Sequence, residues 1–344
     1  MKHTLRSLAV AGATLVAAAA SSLSAAELNL FAWSEYVPQA VLDKFTEETG
    51  IRVNYETYDS NEEMLSKLVG GAEYDLVQPS EYVIEVMVRR GMLAPIDFAA
   101  VPNFNYLDKA YLNLPHDPEQ KFSVPYMVGS VGIVVNTAKI KEPIKGFADL
   151  FSGKYAGRIV TLDDNRELLT WAYYVTGQDL NNINKETMAK ARPVLAKWLP
   201  QIKIFDSASP KTAFLNGEVD VGVVWSGEAA LLYEEDKKFQ YVLPIEGAHL
   251  FIDSLAMPKE APHKKEAHAF LNFILRPDIS VMISADFPYT NPNVEARKLL
   301  TPEQRANPAS YPSEEDSKRL KTFRDIGKAA ADIDKMITDL RGEG

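Results

Sequence analysis

Short apolar runs alternate with amphipathic segments from residue 27 onward. The predicted strands of this first stretch are residues 28–33, 51–55 and 74–77. The predicted helices are residues 38–49, 61–69 and 81–90, and Gly50 and Gly91 end the first and the last of them. Ser60 and Glu63 predict a capping box at the start of the second helix. This alternation is typical of βαβ units and a mostly parallel sheet.

The same alternation resumes in the second half of the chain. Its predicted strands are residues 158–162 and 219–225, and its predicted helices are residues 164–175 and 185–198. Two apolar runs, residues 130–136 and 252–258, are long enough to cross from one domain to another. Residues 317–341 form a long polar amphipathic segment, which predicts a surface helix that closes the chain.

Chain length predicts more than one domain. The chain after residue 26 is longer than a single hydrophobic core usually grows. We therefore predict an α/β fold of two domains with a cleft between them, each built on a mostly parallel sheet flanked by helices. One domain comprises residues 27–132 with 256–302, and the other comprises residues 133–255 with 303–344.

The first 26 residues have the pattern of a signal peptide. Lys2, His3 and Arg6 form a positive region, residues 8–20 are apolar, and residues 24–26 are small. No later stretch approaches the roughly 20 apolar residues that a membrane span needs. The chain has no cysteine, which leaves no site for a lipid-modified cysteine and no disulfide. We expect a mature chain without a lipid anchor, free in a bacterial periplasm.

Charge narrows the choice of partners. Removal of the signal peptide changes the formal net charge from −10 to −12, because it takes Lys2 and Arg6 and no acids. An acidic surface disfavours binding to nucleic acid and to anionic lipid, and it mildly favours a cationic ligand.

Aromatic residues with carboxylates beside them carry the candidate chemistry. The tryptophans and several tyrosines stand at the ends of short apolar runs rather than in helix stripes. The examples with a carboxylate nearby are Trp33 and Tyr36, Tyr82, Trp225, and Phe251 with Asp253. Aromatic faces hold methylene groups and attract cations, while carboxylates accept ammonium protons. At the strand ends of an α/β protein, this pattern predicts a cleft that binds a small organic cation.

Phe251 and Asp253 are two positions apart in an apolar run, so they project from the same face of a strand. Leu250 and Ile252 face the opposite side, toward a core. An aspartate among apolar residues is costly to bury without a partner. We interpret Asp253 as a ligand contact rather than as the partner of a neighbouring loop, because an aromatic ring shares its face.

Other candidates allow a structural role as readily as a binding role. Asp164 and Glu167 share a helix face, but their spacing also fits a helix N-cap with its third residue. Asp163 can serve as that cap instead. Ser80 either contacts ligand or caps the helix that follows. Tyr289 is compatible with both a ligand contact and an ordinary loop tyrosine.

Enzyme motifs are missing from the sequence. The histidines after the signal peptide are His116, His249, His263 and His268, and no two of them have the spacing of a helical zinc site. The sequence contains no phosphate-cradling glycine loop and no nucleophile turn. A periplasmic hydrolase would need a nucleophile or base that these patterns do not supply. We expect a protein without catalytic activity, cofactor or metal.

Nine motifs, in order along the chain, resemble one known family. They are F-x-W-S-E-Y-V-P, F-T-E-E-T-G-I, Y-D-S-N-E, Y-D-L-V-x-P-S, D-D-x-R-E, G-E-V-D-V-G-V-V-W-S-G, D-S-L-A-M-P, L-N-F-I-L-R-P-D and P-N-V-E-A-R-K-L-L. Together they look like the spermidine/putrescine-binding proteins of ABC importers, over essentially the whole chain after the signal peptide.

The resemblance implies a type II periplasmic binding protein fold with crossing hinge strands and a monomer that passes polyamine to membrane permease subunits. A polyamine-binding protein that signals through a membrane receptor is the alternative. By motif, the family's ligand positions correspond to Trp33, Tyr36, Ser80, Tyr82, Asp164, Glu167, Trp225, Asp253 and Tyr289.

Several positions bear on which polyamine is bound. Phe251, where spermidine-preferring members tend to have tryptophan, and Ser34 resemble the putrescine-preferring branch. Asp164 and Glu167 resemble the spermidine branch. Phe323 stands where some members have a glutamine that contacts ligand. The resemblance therefore implies spermidine, putrescine or both as the ligand.

Overall fold

The computed structural model describes residues 26–34 and 36–342. The predicted signal peptide therefore lies outside the described residues, apart from its last residue, Ala26. Within the described ranges, none of the helices combines the length and the apolar content that crossing a bilayer requires.

Ten strands and fourteen α-helices follow one another in the described part of the chain. The strands are β1 (Glu27–Trp33), β2 (Arg52–Tyr58), β3 (Leu76–Val77), β4 (Ser123–Asn136), β5 (Ile159–Thr161), β6 (Ile202–Phe205), β7 (Val221–Trp225), β8 (Phe239–Val242), β9 (Ala248–Ala256) and β10 (Leu320–Lys321). The helices are α1 (Gln39–Thr49), α2 (Asn61–Val69), α3 (Glu81–Arg89), α4 (Phe147–Leu150), α5 (Asn165–Val175), α6 (Lys185–Trp198), α7 (Lys211–Leu215), α8 (Ser226–Glu235), α9 (Lys264–Ile274), α10 (Pro277–Asp286), α11 (Val294–Leu299), α12 (Pro302–Arg305), α13 (Glu314–Ser317) and α14 (Ala329–Gly342).

One mixed sheet joins the strands in the order β2-β1-β3-β9-β4-β7-β5-β6. On one side, β1 pairs in parallel with β2 and β3, and on the other side β5 pairs in parallel with β6 and β7. The two central strands, β9 and β4, run antiparallel to each other and to their outer neighbours β3 and β7. The predicted α/β class is confirmed.

The central strands connect the two halves of the sheet. The first part of β4 pairs with β9 between Ser123 and Ser130, and its second part pairs with β7 from Val131 onward. All 14 residues of β4 are buried. The two predicted crossing runs, residues 130–136 and 252–258, fall within or directly next to β4 and β9.

Each half of the sheet has its own hydrophobic core. In the first half, Leu28 and Phe270 belong to a cluster formed by β1, α1, α9 and α10. In the second half, Trp171 and Leu195 belong to a cluster formed by β5, β7, α5, α6 and α14. Separate cores of this kind let two bodies keep their own packing when the angle between them changes.

Local signals in the sequence place most helix ends correctly. Gly50 adopts a left-handed conformation with φ of 71° and ends α1. Ser60 begins α2 by accepting a hydrogen bond from the Glu63 N–H at 3.2 Å. The Glu63 carboxylate reaches the N–H of Asp59 and not that of Ser60, so the predicted capping box is only half formed.

The prediction of one surface helix over residues 317–341 is wrong. The chain leaves α13 at Ser317, pairs with β9 through β10, and becomes helical again only at Ala329. Between them, the N–H of Phe323 donates to the Glu81 carboxylate at 3.0 Å. Long-range hydrogen bonds of this kind compete with local helix formation, and here they prevail.

The helix that does form at the end of the chain is not a purely surface element. α14 buries Ile333, Met336, Ile337 and Leu340 against the core of the second half. These positions are three and four apart, so they share one face of the helix.

Candidate functional site

The predicted site residues gather where strands of the sheet end. Trp33 and Trp225 are the last residues of β1 and β7. Ser80 directly precedes α3, which follows β3, and Asp164 directly precedes α5, which follows β5. The parallel strands of the two halves run in opposite directions, because β3 is antiparallel to β9, β9 to β4 and β4 to β7. Their carboxyl ends therefore face each other near the middle of β4, where Val131 pairs with Trp225, and this brings together residues that are far apart in sequence.

Asp253 lies on β9 with 3% of its surface exposed. Its Oδ1 accepts a hydrogen bond from the Ser80 hydroxyl at 2.7 Å, and its Oδ2 accepts one from the Tyr36 hydroxyl at 3.0 Å. Ser80 occupies the N-cap position of α3, yet its hydroxyl makes no capping hydrogen bond, so the capping alternative is wrong for this side chain. The two hydroxyls orient the carboxylate without neutralising its charge.

Burial raises the pKa of Asp253 to about 7. The hydrogen bonds from Ser80 and Tyr36 act in the opposite direction, while the nearby charge of Glu81 adds to the increase. A carboxyl that is hard to ionise when the cleft is empty gains strongly from a cation, since the cation offsets the cost of burying the charge.

Five aromatic rings form a continuous row beside this carboxylate. Ring centroids of Trp33 and Tyr36 are 6.5 Å apart, and those of Tyr36 and Tyr289 are 5.7 Å apart. Phe251 continues the row, and its ring centroid lies 5.8 Å from that of Tyr289 and 5.6 Å from that of Trp225. The ring planes of Phe251 and Trp225 are nearly perpendicular. This aromatic row offers ring faces to methylene groups and to positive charge.

Two tryptophans depart from the pattern that the sequence suggested. Trp171 lies inside α5 and Trp198 is the last residue of α6. They stack on Phe147 and Phe151, respectively, in the core of the second half. They stabilise the fold and contribute nothing to the aromatic row.

Asp164 is the N-cap of α5. One of its carboxylate oxygens accepts hydrogen bonds from the N–H groups of Arg166 and Glu167, both at 2.9 Å. The capping alternative is therefore confirmed for Asp164, and Asp163 instead pairs with Arg341 at 2.8 Å. Burial, together with the charge of Glu167, raises the pKa of Asp164 to about 6.

Glu167 is buried and already has protein partners. Its Oε2 accepts a hydrogen bond from the Trp171 indole at 3.1 Å, and its Oε1 lies 2.6 Å from Nδ1 of His249. Both carboxylate oxygens of Glu167 therefore have protein partners, and one of these partners is a histidine.

Glu81 and His249 are site residues that the sequence analysis missed. Nε2 of His249 lies 3.2 Å from Glu81 Oε1, and the other Glu81 oxygen accepts from the N–H of Ile252 at 3.1 Å. Burial opposes a charge on His249, but the adjacent Glu167 and Glu81 carboxylates raise its pKa to about 9. One signal was present in the sequence: His249 alternates with Phe251 and Asp253 along β9, so all three share a face.

Tyr82 and Phe323 face each other across the half-buried Arg166. The guanidinium carbon of Arg166 lies 4.9 Å from the Tyr82 ring centroid and 3.9 Å from that of Phe323. Phe323 also stacks on the His249 ring at 3.5 Å with an interplanar angle of 12°. Phe323 therefore lies at the cleft, where it acts as a stacking surface.

The site has the chemistry of binding. Among the described residues, no group of three or more histidine, aspartate or glutamate side chains is arranged to hold a metal ion. The polar groups at Asp253 are a serine and a tyrosine that donate hydrogen bonds to a carboxylate, which is an arrangement for holding a cation.

Comparisons with known proteins identify the family of this chain. The family model "Bacterial extracellular solute-binding protein" matches residues 40–312. The spermidine/putrescine-binding periplasmic protein of Escherichia coli is 36% identical, with 99% of each chain covered. The putrescine-binding periplasmic protein PotF of Escherichia coli is 32% identical, covering 92% of this chain and 91% of its own.

A solved structure extends the comparison to the fold. The spermidine/putrescine ABC transporter substrate-binding protein PotD of Streptococcus pneumoniae superposes with a TM-score of 0.82 at 32% identity, and covers 92% of this chain and 99% of its own. The predicted two-domain periplasmic binding protein fold is confirmed by this match. The chain belongs to the bacterial extracellular solute-binding protein family and is similar over its length to the family's spermidine/putrescine-binding periplasmic proteins.

Proposed function

We propose that this protein is a periplasmic receptor that captures a polyamine, spermidine or putrescine, and delivers it to the permease subunits of an ABC importer. Membership in the solute-binding family supports the transport role, and the names of the similar proteins support the ligand class. The role is non-catalytic, because the cleft residues bind and orient charge.

The observation that carries the proposal is the position of Asp253. A buried carboxylate with two hydroxyl partners stands beside a row of five aromatic rings. An ammonium group satisfies the carboxylate, and the methylene chain that follows it packs on the rings. A ligand with a terminal ammonium or guanidinium on an alkyl chain meets both needs, and a polyamine is such a ligand.

The division into domains is part of the proposal. Residues 27–132 with 256–302 form one domain and residues 133–255 with 303–344 form the other, with β4 and β9 as the hinge strands. Site residues then come from both domains: Trp33, Tyr36, Ser80, Tyr82 and Tyr289 from the first, and Asp164, Glu167, Trp225, Phe251 and Asp253 from the second. A ligand that contacts both sets stabilises the closed arrangement.

The contacts are sufficient for useful affinity. Micromolar binding corresponds to about −8 kcal/mol. Cation–π contacts contribute about 0.5–2 kcal/mol each, and a desolvated ammonium–carboxylate contact contributes further, against the cost of ordering ligand and side chains.

A binding titration tests the ligand class. Protein that has been unfolded, stripped of ligand and refolded is titrated calorimetrically with putrescine, spermidine, spermine and butylamine. We expect micromolar or tighter binding of at least one polyamine, a change in tryptophan fluorescence, and binding of butylamine weaker by roughly a hundredfold, because it lacks the second ammonium. Failure of every polyamine to bind would overturn the proposal.

An uptake assay tests whether the protein delivers polyamine to an importer. We expect deletion of the gene in its own bacterium to reduce polyamine uptake, and the wild-type gene, but not one encoding Asp253→Asn, to restore it. Unchanged uptake together with a lost cellular response to external polyamine would instead assign the protein to a membrane signalling receptor.

A further inference from the structure

His249 lies between two buried carboxylates. Its Nδ1 is 2.6 Å from Glu167 and its Nε2 is 3.2 Å from Glu81. A neutral imidazole has one N–H, so its other nitrogen would direct a lone pair at a carboxylate oxygen. With both acids ionised, both contacts are favourable only when the ring is an imidazolium that donates to both of them.

The protein itself satisfies both of these acids. Glu167 has 1% of its surface exposed and also accepts from the Trp171 indole. Glu81 is fully buried and also accepts from the N–H groups of Ile252 and Phe323. Neither carboxylate needs a ligand ammonium to complete its hydrogen bonds.

A second protein cation lies close by. The Arg166 guanidinium stacks on Phe323, the same ring that stacks on His249. We call Glu81, Asp164, Arg166, Glu167 and His249 the charge cluster. Within these described residues, three acids face two cations, which leaves a net charge of −1, and Asp253 adds one more negative charge to the cleft. With all of these acids ionised, as they are when cations neutralise them, their net charge matches a ligand with two positive charges.

We propose that His249 is a specificity-determining residue whose imidazolium takes the place of a third ligand ammonium, so that the cleft selects a diamine over a triamine. This rests on the proposed function and narrows its ligand class. A third ammonium would meet carboxylates that are already paired and two cations that repel it, and it would lose its hydration without gaining a partner.

The test compares the affinities for putrescine and spermidine in charge-matched variants. We expect the wild type to bind putrescine at least tenfold more tightly than spermidine. His249→Gln makes the cluster more negative and should shift this ratio at least tenfold toward spermidine. Glu81→Gln keeps an acceptor but removes a negative charge, and should shift the ratio toward putrescine. The double variant restores the net charge, so its ratio should return to within about threefold of the wild type.

His263→Gln is the matched control. His263 also pairs with a buried carboxylate, that of Asp75 at 3.0 Å, but outside the cleft. The ratio of putrescine affinity to spermidine affinity in His263→Gln should equal that of the wild type. Structural damage lowers both affinities together and leaves the ratio unchanged, so a change in ratio reports on charge.

The outcomes separate the two proposals. If no polyamine binds the wild type, the proposed function fails. If polyamines bind but the wild type prefers spermidine, or if His249→Gln and Glu81→Gln leave the ratio unchanged, the assignment of His249 fails while the function stands. Should His249→Gln not fold, the shift predicted for Glu81→Gln decides the matter.

Discussion

At the scale of single residues, the environment of Asp253 decides what its carboxyl can do. The side chain is enclosed by neutral donors, and burial raises its pKa to about 7. Other buried acids in the chain have structural partners: Asp75 accepts from the N–H groups of Asn29 and His263 at 2.7 and 2.6 Å. The two buried aspartates therefore differ in their partners: Asp253 accepts from side-chain hydroxyls at the proposed site, whereas Asp75 accepts from backbone N–H groups outside it.

Asp253→Asn should separate binding from stability. Loss of one partner of a buried ion pair costs roughly 3–5 kcal/mol, so we expect polyamine affinity to fall at least a hundredfold. The empty protein at pH 8 should be no less stable, because an acid with a raised pKa destabilises the fold once it is ionised. Calorimetric titration and urea unfolding of stripped protein measure the two effects. Asp75→Asn should show the reverse, with reduced stability and nearly normal affinity.

The pH dependence of binding follows from the same carboxyl. Below pH 7, Asp253 in the empty protein holds a proton that the ammonium must displace, so affinity should fall roughly tenfold per pH unit between pH 7 and 6. Below about pH 6 the fall should steepen, since Asp164 then also holds a proton. Titrations from pH 8 to 5.5 test this, and Asp253→Asn should lack the upper step. A constant affinity over that range would contradict the assignment.

At the scale of elements, α3 links the cleft to the C-terminal segment. Its first turn supplies Glu81 to the charge cluster, and its next turn supplies Glu85, which accepts from the Arg324 guanidinium at 2.7 and 3.0 Å. The Asp325 N–H donates to the same carboxylate, and Arg89 pairs with the Asp325 side chain. If the domains divide as proposed, these contacts join the two domains and favour the closed arrangement.

Glu85→Gln should therefore weaken binding without touching the ligand. Partly exposed ion pairs are worth about 1 kcal/mol or less each, so we expect a loss of affinity of roughly three- to tenfold, as the closed state becomes less favourable. Calorimetric titration measures it. Asp339→Asn, which removes the exposed pair with Lys335 on α14, should leave affinity unchanged. Equal effects of the two variants would show that the α3 contacts do not favour closure.

At the scale of the whole molecule, α8 and the loop that carries Tyr289 approach each other closely. A Cβ added to Gly227 would overlap the Tyr289 ring. That ring is part of the aromatic row, held between Tyr36 and Phe251. Gly227 lies within a helix, so its backbone conformation does not require glycine. Glycine is required there because the Tyr289 ring, from the other proposed domain, leaves no room for a side chain.

Gly227→Ala should hold the molecule open. Alanine favours helix over glycine by about 1 kcal/mol, so the empty protein should be equally or more stable, while polyamine affinity falls at least tenfold. Small-angle scattering should show a smaller decrease in radius of gyration on adding ligand than in the wild type. Gly342→Ala, also in a helix but with nothing within 4 Å of the added methyl, is the control and should bind normally. Normal affinity in Gly227→Ala would contradict this view of closure.

The sequence determined those features that depend on neighbours along the chain. Helix ends such as Gly50, the face shared by Phe251 and Asp253, and the strand ends at Trp33 and Trp225 follow from spacing of a few residues. Spacing alone left the role of Asp164 open, because a cap and a ligand contact require the same residue types.

Only the tertiary structure decided the contacts between distant segments. Ser80 and Asp253 are 173 residues apart, and Glu81 and Phe323 are 242 apart, so no local pattern reports their meeting. The Phe323–Glu81 contact lies in the segment where the predicted C-terminal helix does not form, and other contacts between distant segments place His249 between Glu167 and Glu81. The physical reason is that burial and charge pairing depend on what folds around a side chain. The aromatic and acidic residues of the site could be recognised from the sequence. Their hydrogen-bond partners, and the net charge of the cluster that they form with Arg166 and His249, were determined by the fold.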